Sequence, residues 1–157
     1  KSYFCKKHFR WSGVISSDRL REMISDDEAD QSVSKDAFDL LRTLLQLRLK
    51  YGKRTIVYST GLSHDFRKDI VKIAKDAQAT AIALLFDIPL EMCIQRNKIR
   101  DREVPDDVMQ NQFAKFQRSK ESVKNEGFDS IHILDELTIN IIRFETDSKR
   151  MGAFDDL

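Results

Sequence analysis

The stretch GVISSDRLREMISDDEADQ, Gly13 to Gln31, puts the carboxylate of Asp18 at the end of a short apolar run and follows it with Arg19 and Arg21. A carboxylate in that position can take the proton of an attacking hydroxyl, or it can cap the helix that starts there by accepting a backbone N–H. Residue types alone leave both open. Structural chain ends usually finish on Gly, Asn or Pro, whereas charge gathered at the end of a buried run marks the edge where open α/β sheets bind their ligands. Lys1 and Ser2 open a helical pattern and match the closing half of the phosphate-binding loop G-x-x-x-x-G-K-[ST]. Two residues are a weak motif, and a chance Lys-Ser pair is the competing reading. A third segment, QRNKIRDRE, carries Arg96, Arg100 and Arg102 around Lys98. At i, i+4 spacing Arg96 and Arg100 share one helical face; the bland alternative is an exposed charged helix end with Asp101 and Glu103 as partners.

Composition bounds what those residues can belong to. The 157 residues suit one domain with a sizeable core. Charged residues make up 34% of the chain but the net charge is only +1, so an anionic substrate needs a local basic patch rather than a bulk field. Cys5 and Cys93 are too few for a disulfide framework and have no metal-ligand spacing; they read as small buried hydrophobes. No signal peptide and no membrane-length apolar run is present, which predicts a cytoplasmic protein with no membrane partner. The acidic cluster Asp26, Asp27, Glu28 and Asp30 reads as solvated or paired with nearby cations, because adjacent carboxylates in one turn rarely converge on one ion. His8, His64 and His132 are scattered and suit surface or core roles.

The elements that must position these groups alternate in type. Val14–Ser17, Thr55–Ser59, Thr80–Phe86 and Ser130–Leu134 are short apolar runs, as expected of strands buried on both faces of a parallel sheet. Between them, a helix over Lys35–Lys50 carries Phe38, Leu41, Leu44, Leu45 and Leu49 on one stripe, with Ser34 as its N-cap and Gly52 as its stop. Ser63–Gln78 repeats the pattern through Phe66, Ile70, Ile73 and Ala77. A short helix covers Arg19–Ile24, Pro89 opens another, and Val108–Lys124 makes a long polar one with Phe113 and Phe116. At the start, Tyr3, Phe4 and His8 share a helical face beside Cys5 and Phe9. Thr138–Phe144 is expected to add a strand, and 147–157 to form a tail or linker after a domain spanning 1–146. Strands alternating with helices make this an α/β chain of βαβ units.

The runs VISSDRLREMISDDEADQSVSKDAFDLL, FDIPLEMCIQRNKIRDREV and KNEGFDSIHIL resemble the kinase domain of bacterial polynucleotide kinase-phosphatases, the RNA end-healing enzymes, over roughly Lys1 to Leu134. The strand-terminal S-S-D with an arginine three residues on, together with S-D-D-E-x-D-Q, is the specific part. The resemblance implies a P-loop kinase-like parallel sheet flanked by helices, with a helical lid carrying arginines. It also implies transfer of the ATP γ-phosphate to a 5′-OH end of RNA or DNA, with ATP and Mg²⁺ required, and fits fusion to phosphatase, ligase or other end-healing domains. Lys1 would then reach the β- and γ-phosphates and Ser2 would hold Mg²⁺. Asp18 would act as general base, Arg21 would grip the acceptor's 3′-phosphate against the alternative of a solvated surface arginine, and Arg96, Arg100 and Arg102 would neutralise ATP phosphates. Arg19 is read as structural. The family's first strand and glycine loop are expected immediately upstream of Lys1, outside this sequence, and without that loop ATP affinity should collapse.

One stretch departs from the family pattern. Where the family has Asp-Ala-Thr-Asn, this chain has Tyr58-Ser59-Thr60-Gly61, and Tyr58 cannot supply the carboxylate. Two rival functions remain open beside the polynucleotide kinase. One is a P-loop kinase acting on another alcohol, such as a nucleoside or an aminoacyl-tRNA; the other is a degenerate module that binds nucleic acid or a protein without turnover.

Overall fold

The computed structural model describes residues 1–61, 63–99 and 103–141. Helix α1 (Ser2–His8) leads through a 3-10 turn at Trp11–Gly13 into strand β1 (Val14–Ser16). Then come α2 (Ser17–Ser25), α3 (Ser34–Lys50), β2 (Ile56–Tyr58), α4 (His64–Asp76) and β3 (Ile82–Phe86). The remainder is α5 (Leu90–Asn97), α6 (Asp106–Ser122), a 3-10 turn at Val123–Asn125, β4 (Ser130–Leu134) and α7 (Glu136–Ile141). Strands β1 and β2 pair in parallel with Val14 opposite Ile56 and Ser16 opposite Tyr58. Strands β3 and β4 do the same from Ile82 opposite Ser130 to Phe86 opposite Leu134. The expected α/β architecture is therefore present as two parallel strand pairs with helical crossovers, and β2 and β3 do not pair with each other among the described residues. The start of α1 lies at the carboxyl ends of both pairs. The Tyr58 hydroxyl donates to Ser2 Oγ at 3.1 Å, and the Phe4 ring meets that of Phe86 edge-on at 5.0 Å.

The core sits between the first strand pair and its helices. Ile15, Leu20, Ala37, Leu41, Leu45 and Phe66 form one buried cluster, with Phe38, Leu44, Leu49, Val57, Ile70 and Ile73 packed around it. The apolar stripe of α3 is thus the stripe that the sequence marks out, and burying Leu41 and Leu45 contributes about 1.5–3 kcal/mol each. Around the second strand pair the fully buried anchors are Val123 and Leu134.

Several boundaries move for identifiable reasons. Ser16 ends β1 and caps α2: its Oγ accepts the Arg19 N–H at 3.1 Å, so Ser17 opens the helix instead of closing the strand. The Ser63 side chain caps α4 in the same way. Ser34, expected as the cap of α3, lies inside the helix and its hydroxyl donates to Gln31 Oε1 instead. Pro89 stands one position ahead of α5. The strand expected over Thr138–Phe144 is contradicted over its described part, because α7 covers Glu136–Ile141. Asp135 and Thr138 form a reciprocal capping box, Thr138 N–H to Asp135 Oδ1 at 2.7 Å and Asp135 N–H to Thr138 Oγ1 at 2.8 Å. That box outweighs the β-branched run behind it. The expected tail at 147–157 lies outside the described residues.

Candidate active site

The carboxyl ends of β1 and β2 gather three of the singled-out residues. Strand pairing sets Ser16 opposite Tyr58. Tyr58 reaches Ser2 through its hydroxyl, and its ring lies 5.9 Å from Lys1 Nζ. Lys1 Nζ also approaches the Ser59 carbonyl at 3.5 Å. Two residues beyond Ser16 comes Asp18, on the first turn of α2, where the helix dipole favours a carboxylate. The helix cap is Ser16, so Asp18 is not the cap that its position allowed.

Asp18 is instead held from below. Arg21, one helical turn on, donates Nη2 to Asp18 Oδ1 and Nε to the Glu28 carbonyl at 2.8 Å. The two side chains differ in exposure: 9% for Arg21, 54% for Asp18. Arg21 is therefore not a solvated surface arginine. Its Nη1 donates no hydrogen bond among the described residues, Nε and Nη2 being the donors in use. The arrangement offers a water-facing carboxylate, fixed in orientation and able to accept a proton, beside a cation that is already desolvated.

The acidic loop that follows does not build a metal centre. Asp27 and Asp30 spend their carboxylates on the Ala29 and Ser32 N–H groups, and no group of three potential metal-ligating side chains occurs among the described residues. Hydrogen bonds from Ser32 hold the Asp30 carboxyl below its ordinary range.

The basic segment divides. Arg96 lies on α5 and pairs with Glu136 at 3.2 Å. The helix carrying it ends at Asn97, and Arg100 and Arg102 lie outside the described residues. Asn97 itself is buried and brackets the base of that segment. Its Nδ2 donates to the Val104 carbonyl at 2.7 Å and its Oδ1 accepts the Val104 N–H at 3.0 Å.

A second charged constellation escapes sequence reasoning. Arg67 on α4 makes a fork-on-fork pair with Glu126, Nε to Oε2 at 2.6 Å and Nη2 to Oε1 at 2.5 Å. His64 and Ser122 also bond Oε1, at 2.8 and 3.0 Å, and Arg67 Nη1 donates to the Gly61 carbonyl. Burial pushes the Glu126 carboxyl up, but hydrogen bonds from Arg67, His64 and Ser122 and the Arg67 charge outweigh it, bringing it from 4.5 to about 2. His64 thus has a carboxylate partner that its surroundings in sequence do not reveal. The network fixes the loop behind Tyr58. There Gly61 has φ +62°, a left-handed conformation that Gly and Asn both enter readily. The exchange of the family's Asn for Gly therefore costs the backbone little, whereas Tyr58 brings a phenol to Ser2 in place of a carboxylate. Lys120 and Asp87, paired at 2.8 Å at the end of β3, are a further contact without a sequence signature.

Two comparisons with known proteins bear on the chain as a whole. L-seryl-tRNA(Sec) kinase of Methanococcus maripaludis is 25% identical over 103 residues, 66% of this chain. The chain spans 40% of that relative's length. A family profile described as an AAA domain matches residues 1–122. With more than half of its length matched, and with parallel strands and flanking helices in the P-loop kinase-like pattern, the chain belongs to this family of AAA domains.

Proposed function

We propose that this domain transfers the γ-phosphate of ATP to a 5′-hydroxyl of RNA or DNA. The observation that carries the reading is the Asp18–Arg21 pair, in which a half-open carboxylate stands on a buried arginine at the strand-end rim shared with Lys1 and Ser2. Phosphoryl transfer asks a protein mainly for positioning and charge. Asp18 accepts the proton of the acceptor hydroxyl while the oxygen bonds to the γ-phosphorus; the bond to the bridging oxygen breaks and ADP leaves with its electron pair. Lys1, beside the Tyr58 ring and the Ser59 carbonyl, would turn its ammonium to the leaving phosphates. The donor set suits Mg²⁺, because Ser2 Oγ is a hard oxygen and one donor is enough where phosphates supply others. When bound, the ion supplies neutralisation of the β- and γ-oxygens. Arg21 offers Nη1 to the phosphate 3′ of the attacked hydroxyl.

That last role gives the test. In the full-length protein, a nucleoside 3′-phosphate should be phosphorylated better than the bare nucleoside by ten- to a hundredfold in kcat/KM, one charge-assisted contact being worth roughly 1.5–3 kcal/mol. Arg21→Ala should erase the preference. Wild type preferring the nucleoside, or a variant keeping the full preference, overturns the polynucleotide reading. The second reading, an alcohol carried on an aminoacyl-tRNA, is favoured by the likeness to L-seryl-tRNA(Sec) kinase. Turnover of seryl-tRNA above both the nucleoside 3′-phosphate and the bare nucleoside would select it.

A further inference from the structure

The chain is close to neutral, with 27 basic and 26 acidic residues, yet its first 19 residues hold Lys1, Lys6, Lys7, Arg10 and Arg19 against Asp18 as the single acid. The basic patch that an anionic substrate needs is therefore local, and an aromatic ring stands in it. Trp11, the sole tryptophan of the sequence, is 39% exposed at the turn that feeds β1. Lys6 Nζ lies 5.3 Å from its ring centroid and Arg19 Cζ lies 5.6 Å from it. Arg19 is the residue directly after Asp18, so Trp11 stands within one arginine side chain of the backbone that carries the proposed base. The indole leaves 39% of its surface open to solvent, and each cation–π contact at such an exposed place contributes only about 0.5–1 kcal/mol.

We propose that Trp11, Lys6 and Arg19 form a landing platform for the acceptor strand: the indole stacks on a nucleobase downstream of the attacked 5′ end, and the two cations meet the flanking phosphates. An aromatic face set among cations is the chemistry by which single-stranded nucleic acids are held without reading their sequence. The proposal rests on the polynucleotide reading above and adds to it where the strand runs beyond its first nucleotide. It also gives Arg19 a role outside the structural one expected for it.

The difference in fluorescence between wild type and Trp11→Phe isolates Trp11, the one tryptophan of this sequence. Titrating the protein with a 5′-OH single-stranded oligonucleotide of about ten residues should quench Trp11 fluorescence, and nucleoside 3′-phosphate, too short to reach the ring, should not. Trp11→Ala should raise KM for the oligonucleotide on the order of tenfold and leave kcat and the KM for nucleoside 3′-phosphate unchanged. Trp11→Phe, which keeps a stacking face, should restore most of the loss. Lys6→Ala and Arg19→Ala should each lower the salt dependence of binding by about one phosphate contact. An oligonucleotide whose binding, followed by its own label, saturates without quenching overturns the platform, as does equal quenching by nucleoside 3′-phosphate. Quenching is read without turnover. Quenching without phosphorylation therefore upholds the platform and removes the kinase reading; phosphorylation without quenching removes the platform alone.

Discussion

Two arginine–carboxylate pairs in this molecule use the same chemistry to opposite ends. In Arg67–Glu126 both side chains are inside, the carboxylate 1% exposed and the guanidinium 10%. Every oxygen of Glu126 is taken up by Arg67, His64 or Ser122. In Arg21–Asp18 the cation is buried but the carboxylate stands half in water. The first pair is closed to solvent, and so it holds elements together, here α4, the Gly61 loop and the end of α6. The second keeps acceptor capacity on the side where a substrate would arrive. Whether the carboxylate stays open to solvent after folding, rather than the presence of a charged pair, separates a strut from a site.

That contrast can be broken most forcefully at Glu126. Glu126→Gln keeps the shape but strands the Arg67 charge, and loss of one partner from a buried pair costs about 3–5 kcal/mol; urea unfolding should show it. The sign with pH follows from the depressed carboxyl. Its stabilisation is complete above the ordinary 4.5 and lost as pH falls toward about 2. The gap between wild type and variant should therefore shrink across that window, and a gap independent of pH would place the stabilisation elsewhere. Asp18→Ala is the reverse case. Phosphoryl transfer should fall on the order of 10²-fold or more, while ATP binding by calorimetry changes little. Equal loss of binding and transfer would move Asp18 to the strut class. The smallest effect sharpens the boundary: Ser16→Ala removes the cap two residues from Asp18 and should cost roughly 1 kcal/mol of stability, with turnover nearly intact. If it matched Asp18→Ala in turnover, the placement of α2, not the carboxylate, would be what matters.

The sequence marks local features well and long-range ones poorly. Strand β4 runs over the expected residues, Ser130–Leu134, and the Leu41–Leu45 stripe of α3 is buried as its spacing requires. Each is set by neighbours a few residues away. Asp18 and Arg21 are found together because one helical turn joins them. Arg67 and Glu126 are 59 residues apart, and each looks like an ordinary polar residue in its own segment, so no local pattern says which cation meets which carboxylate. Trp11 carries no signal in the sequence, because an aromatic beside basic residues acquires meaning only once Arg19 is folded back onto it. The capping box of α7 was legible as Asp135-x-x-Thr138, but the β-branched residues after it argued for a strand.

The Arg67–Glu126 separation also has a clock attached. A chain made from its N-terminus exposes Arg67 well before Glu126 exists, and at roughly 5–20 residues per second the wait over 59 positions is roughly 3–12 s. During that interval the first strand pair and α3 can already pack, but α4 carries a guanidinium whose buried seat lacks its counter-charge. Water must keep that side chain until the turn before β4 has been synthesised. The docking of α4 onto the Glu126 turn is thus set by translation rather than by diffusion, and the half of the molecule bearing Asp18 is the half that waits.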